Sequence, residues 1–256
     1  MIDNPREYEV MAQVEANHWW YRALHHAVLD AIEQQFASRQ IKVLDAGCGT
    51  GGLLSALKRA GYDSVRGFDL SPVAVTICRT RALQVEVGNL SDINSVDLPL
   101  RFDVIVSNDV LYHLPAGDRE QFIAHAFERL NPGGLLIMNL PALKGFRGQH
   151  DRAVGVTHRF NRREFRQLFE KTGFEAVQLR YWPVLLAPAI YLVRSWQRMT
   201  DDPSSSSLPK SDLKAHAGAL NNLLYRLIRL EMKYLHVTPA GSSLFTVLKR
   251  PCDQAT

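Results

Sequence analysis

The stretch VLDAGCGTGG (43–52) constrains this chain more than any other feature. The apolar run IKVLDA (41–46) reads as a buried parallel strand, and it stops at a cluster of glycines. The residues that follow, GLLSALKRA (52–60), read as a helix ended by Gly61. A strand that turns through glycines into a helix brings its backbone close to a ligand. Gly47-x-Gly49-x-x-Gly52 also satisfies the dinucleotide fingerprint, so the glycines alone do not select the ligand. Two acids do more. Asp45, at the mouth of the loop, would repel a pyrophosphate but suits a ligand carrying ammonium and sulfonium groups. Asp69 falls at the end of the next strand, where a carboxylate can accept from both hydroxyls of a ribose.

Around the loop the chain alternates between strand and helix patterns. SVRGFD (64–69), LQVEVG (83–88), FDVIVSN (102–108) and LLIMNL (135–140) read as further strands. Between them, Ser71-Pro72 opens a helix as N-cap and first helical residue, and residues 118–130 form another that stops at NPGG. This alternation predicts a doubly wound parallel sheet. A helix over 161–172, closed by Gly173, precedes two final strands, FEAVQLRYW (174–182) and SSLFTVLKR (242–250). The expected organisation is one domain: a helical N-terminal lid (1–40), a Rossmann-like core (41–182 and 242–250) and a helical insertion (183–241). The insertion holds the Pro-interrupted run WPVLLAPAIYLV, a serine-rich segment (201–211) expected to be mobile, and a helix over 219–235.

The loop VLDAGCGTGG, the acidic end of GFD, VSNDVLYHL and LNPGGLLIMNLP together resemble the class I S-adenosylmethionine (SAM)-dependent methyltransferases, in particular the small-molecule branch called types 11 and 12. The resemblance covers about 41–140, with the motifs in the family's order and spacing. It implies SAM as cofactor and a seven-stranded sheet of order 3-2-1-4-5-7-6 with the seventh strand antiparallel. Asp45, Gly47 and Gly49 would line the methionine part of SAM. Asp69, with neighbouring Leu70, would hold the ribose, and Asn108 would line the site from the end of the fourth strand. Where such proteins often carry an adenine-binding Asp, this chain has Asn89, so the contact falls to its amide oxygen or to the backbone beside Leu90. HWWYR (18–22) is similar to a lid segment of this branch. There Trp20 and Tyr21 would cover the cofactor and Arg22 would bind its carboxylate, the alternative being an N-terminal helix packing aromatics on the core.

A hydroxyl or ammonium acceptor must lose a proton, and histidine titrates in the useful range. Of nine histidines, His150 and His158 lie between the fifth strand and the next helix and are the candidate bases, with Asp151 as orienter; the alternative is a solvated loop. His113 is read as structural, and Cys48 as a packing residue in the turn. The apolar insertion points to a small hydrophobic or amphipathic acceptor, with oxygen favoured over nitrogen or carbon. The rival readings are an NAD(P)-binding oxidoreductase and a non-catalytic SAM-binding protein.

A net charge of +4, with no basic block interleaved with aromatics, argues against nucleic acid as a partner. Three scattered cysteines show neither a disulfide framework nor metal-ligand spacing, so no metal is expected. The first residues lack a signal-peptide pattern, and the most apolar run is shorter than the roughly 20 residues a bilayer needs. A cytoplasmic protein is expected, with 183–235 as a candidate for peripheral membrane contact through its basic amphipathic helix.

Overall fold

The computed structural model describes residues 5–200 and 218–252. The serine-rich segment 201–211 lies outside the described residues. In chain order the elements are α1 (Pro5–Val14), α2 (Trp19–Gln35), β1 (Val43–Ala46), α3 (Gly52–Arg59), β2 (Val65–Asp69), α4 (Pro72–Thr80) and β3 (Val85–Val87). There follow β4 (Phe102–Asn108), α5 (Ala116–Arg129), β5 (Leu130–Pro141), α6 (Gln149–Ala153), α7 (Arg162–Phe169), β6 (Glu175–Trp182), α8 (Ala187–Thr200), α9 (Gly218–Tyr234) and β7 (Ser243–Lys249). The strands form one sheet of order β3-β2-β1-β4-β5-β7-β6, as the resemblance implied. β1 to β5 pair in parallel, and β7 runs antiparallel to both β5 and β6.

Successive residues of the central strands point to opposite faces, and each face is dry. Val43, Val104 and Leu135 pack in the layer that contains Val28, Ile32 and Leu57 of α2 and α3. Their neighbours Leu44, Ile105 and Leu136 pack in the layer of Phe122, Ile123 and Phe165 from α5 and α7. This is why the strands read as unbroken apolar runs rather than alternating ones. Each fully buried side chain of this size stabilises the fold by about 1.5–3 kcal/mol.

Two elements differ from the sequence reading. β5 starts at Leu130, not 135, so NPGG belongs to the strand: Leu130 pairs with Phe102, and a register shift follows before Val104 meets Leu135. A Cβ at Gly134 would lie 2.8 Å from Asn131 O and 2.9 Å from Asp103 O, so this bend takes only glycine. The run WPVLLAPAIYLV leads into a helix, α8. Pro188 is its second residue, in the first turn, where a missing N–H costs nothing.

Helix α9 fastens α2 to the sheet. The buried Glu231 accepts from the backbone N–H groups of Val184 and Leu185, each at 2.8 Å. Arg180 of β6 donates to the carbonyls of Met232 (2.6 Å) and Leu235 (2.8 Å) at the helix C-terminus. Trp19 N donates to Asn221 Oδ1 (2.8 Å), and Arg229 pairs with Asp30.

Candidate active site

The turn after β1 is built on left-handed backbone, with φ of 79° at Gly47 and 53° at Gly49. A Cβ at Gly47 would also lie 2.6 Å from Val110 Cγ2, so conformation and space both exclude a side chain there. The N–H groups of Gly47 and Cys48 donate to Phe68 O at 2.8 and 3.0 Å, stitching the turn to β2. Asp69 completes the stitching. Its Oδ2 accepts from Gly49 N at 2.8 Å and its Oδ1 from Ser71 N at 2.9 Å. Each oxygen retains a second lone pair for a ligand hydroxyl.

These residues open onto a cavity of about 730 Å³ at the carboxyl ends of β1, β2 and β4, where ligands of such sheets bind. Of the residues anticipated for the cofactor, Tyr21, Asp45, Gly47, Gly49 and Asp69 stand on its wall. So do Leu70, Asn89, Leu90 and Asn108. Asn108 Oδ1 is buried and has no hydrogen-bond partner among the described residues, leaving an acceptor that a ligand donor can satisfy. Trp20 also lines the cavity and stacks on Trp182, with ring centroids 5.6 Å apart and planes 16° apart.

The cavity concentrates carboxylates. Burial, then the charges of Asp69 and Glu15, pushes Asp45 up to about 8. Asp69 is also raised by burial, against the hydrogen bonds from Ser71 and Gly49. Asp109 sits at a φ of 56° and is pushed up to about 7 by burial, opposed by the amide of Asn139 and the charge of Arg159. Burial also raises the Tyr21 phenol, helped by Glu15 and Asp109. A cationic ligand would relieve these clustered acids, whereas a pyrophosphate would add to them.

Helix α1 and the residue that follows it supply wall residues that no local motif announced: Tyr8, Met11 and Glu15. Arg81, just past α4, holds it there. Its guanidinium pairs with Glu15 and donates to Thr50 O and Ala12 O, both at 2.8 Å. Glu15, Thr50 and Ala12 are 66, 31 and 69 residues away in sequence, so no spacing rule could find them. Asp109, Arg159 and the α8 residues Ile190 and Gln197 also line the cavity.

Three assignments need correction. Arg22 is not on the cavity wall; it stacks over Tyr225 (4.0 Å to the ring centroid) and donates to Asn222 Oδ1 at 2.9 Å. Adjacent helical residues diverge by about 100°, so when Tyr21 faces the cavity Arg22 faces α9. His158 is also off the wall: its Nε2 is 2.5 Å from Glu164 Oε1, and its ring sits edge-on to Phe160 at 4.6 Å. Asp151 does not serve a histidine but grips buried Arg159 through both oxygens, at 2.6 and 2.7 Å. His150, on α6, does line the cavity. His113 lines it as well, although read as structural; burial pushes it down to about 4, so it is neutral near pH 7. Cys48 packs in the turn as expected.

Residues 17–179, from just before α2 to within β6, match the family model described as a methyltransferase domain. A Mycolicibacterium smegmatis protein named "Probable S-adenosylmethionine-dependent methyltransferase" is 31% identical over 176 residues, covering 66% of this chain and 64% of that one. A ubiquinone biosynthesis O-methyltransferase of Xanthomonas campestris is 31% identical over 137 residues, covering 48% and 56%. The chain therefore spans under two thirds of the length of either relative. Among solved structures, a chain from the complex of the Haloferax volcanii Trm112 methyltransferase activator with a methyltransferase superposes with a TM-score of 0.60. It is 20% identical and the superposition covers 98% of this chain and 96% of that one, a likeness of fold. With a family model matched over most of the chain and the glycine loop set among acids that suit a cationic ligand, the chain belongs to the class I SAM-dependent methyltransferases.

Proposed function

We propose that the protein transfers the methyl group of SAM to a hydroxyl of a small hydrophobic or amphipathic acceptor. The observation that carries this reading is the shared wall of Asp45, Asp69, Gly47 and Gly49, where carboxylates flank a close-approach backbone loop. SAM, when bound, brings a methyl already activated on a sulfonium, so the chain's task is alignment and exclusion of water. Asp45 would answer the cationic amino-acid end, Asp69 the ribose, and Asn89 with Leu90 the adenine. Trp20 and Tyr21 would cover the site from α2. Val154, Val156 and Ile190 supply apolar cavity wall, which supports an apolar acceptor. The name of the Xanthomonas relative favours oxygen.

His150 would take the acceptor proton. It lines the cavity, and His158 does not. The test is calorimetry with SAM, followed by transfer from methyl-labelled SAM to alkyl phenols and catechols, with matched amines as controls. Tight SAM binding with label on the hydroxyl compounds is expected. Transfer to amines alone would overturn the oxygen assignment. Binding without transfer to any compound, including thiols and carbon acids, would favour a SAM-binding protein without catalysis.

A further inference from the structure

Strand β6 is the last strand of the sheet, so its outer edge has no neighbouring strand. A groove of about 630 Å³ lies beside it, lined by residues 176–180 and by the segment 235–239 that follows α9. Arg162 and Arg166, four residues apart and therefore on one face of α7, line it too. The groove shares no lining residue with the cavity described above.

The groove gathers cations that no lining acid answers. Arg162, Arg166, Arg180 and His236 line it, and no Asp or Glu does. Among the described residues no carboxylate forms an ion pair with any of the three arginines. Arg162 donates to the carbonyl of Thr238 at 2.7 Å and to its hydroxyl, and its guanidinium lies 4.4 Å from the centroid of the Tyr181 ring. Arg180 donates to the carbonyls of Met232 (2.6 Å), Glu231 (3.2 Å) and Leu235 (2.8 Å). These neutral partners fix both side chains in place. Each arginine also keeps a buried Nε–H with no partner among the described residues, so the fold leaves both incompletely satisfied. Burial pushes Arg180 below its ordinary value. The charge of Glu231, whose carboxylate is spent on the amides of Val184 and Leu185, opposes this, and the charge of Arg162 adds to it.

Two held arginines close enough to repel, with a third beside them, suit an anion of more than one charge. A single carboxylate would leave most of that charge unmatched. We propose that the groove beside β6 binds a soluble phosphate-bearing anion carrying two or more negative charges, at a site separate from the cavity assigned to methyl transfer. Arg162 and Arg180 supply its fixed positive charge, and Arg166 and His236, both exposed, supply further donors. The proposal does not rest on the methyl-transfer reading.

The experiment is calorimetry of the full chain with pyrophosphate, with acetate as the singly charged control. Pyrophosphate should bind with a dissociation constant below about 1 mM, more weakly as salt is added, and acetate far less tightly. Arg166→Gln should weaken pyrophosphate binding about tenfold, the scale of a lost charge-assisted hydrogen bond. His236→Glu, which places a carboxylate in the groove, should weaken it by at least as much. Both side chains are exposed, so the urea midpoint of each variant should match the parent's, which separates loss of the site from loss of the fold. Binding as tight for acetate as for pyrophosphate, no binding below about 1 mM, or variants that bind like the parent would overturn the proposal. So would sedimentation with phosphatidic acid vesicles in the absence of pyrophosphate binding, because the phosphate would then belong to a lipid headgroup.

Discussion

The side-chain amide of Asn139 donates to both carboxylate oxygens of Asp109, at 3.0 and 2.9 Å, while its own oxygen accepts from Trp182 Nε1 at 2.8 Å. One buried amide thus ties the cavity carboxylate to the tryptophan on which Trp20 stacks. Asp109 N also donates to Asn139 O at 2.8 Å, which helps hold the strained backbone at Asp109.

Asn139→Leu keeps the bulk but leaves Trp182 Nε1 without its acceptor and Asp109 without its donor. At pH 8, above the raised value of about 7, Asp109 is charged and the substitution should cost about 2–4 kcal/mol. An acid raised in the fold binds its proton more tightly there than in the unfolded chain. Its contribution is therefore greatest at low pH and falls as pH rises from its ordinary value of 3.8 to about 7. At pH 5 Asp109 is neutral in the fold, so the loss should be clearly smaller. Urea unfolding at both pH values checks this, and equal losses would count against it.

SAM binding should release a proton near pH 7. Asp45, raised to about 8, is largely protonated in the free protein, and a cation beside it favours the carboxylate. Affinity should rise between pH 6 and 8, by up to about tenfold per unit, and then level off. Calorimetry in two buffers of different ionisation enthalpy gives the proton count directly. A count of zero at pH 7 would remove Asp45 from the cofactor site.

Asp69→Ala should weaken SAM binding at least about tenfold, the scale of lost charged hydrogen bonds. Because Asp69 also accepts from Gly49 N and Ser71 N, the free variant should show faster hydrogen exchange at both amides. Faster exchange with unchanged affinity would mean that Asp69 only shapes the loop.

His150→Ala should lower turnover about 10²–10⁴-fold with SAM affinity nearly intact, and the pH–rate profile should lose the limb due to that group. His158→Ala should leave turnover within a few-fold, because its imidazole is engaged with Glu164 away from the cavity. The reverse pattern would reassign the base.

The loop VLDAGCGTGG, the alternation of strands and helices, and the cavity wall from Asp45 to Asn108 were all legible in the sequence because each depends on neighbours in the chain. Glycine permits a left-handed turn wherever it sits, and an unbroken apolar run predicts a strand covered on both faces. Sheet order followed from the resemblance those motifs carry. Tertiary structure alone decided which side of α2 meets the cavity, and so that Tyr21 enters while Arg22 faces α9. It also decided that Glu15 closes the loop through Arg81, that Asp151 serves Arg159, and that His158 is spent on Glu164. Each of these pairings is a choice among equally charged partners, made by distance in the fold. Charge attraction is nearly indifferent to sequence separation, so local pattern predicts that an acid will find a cation but not which one.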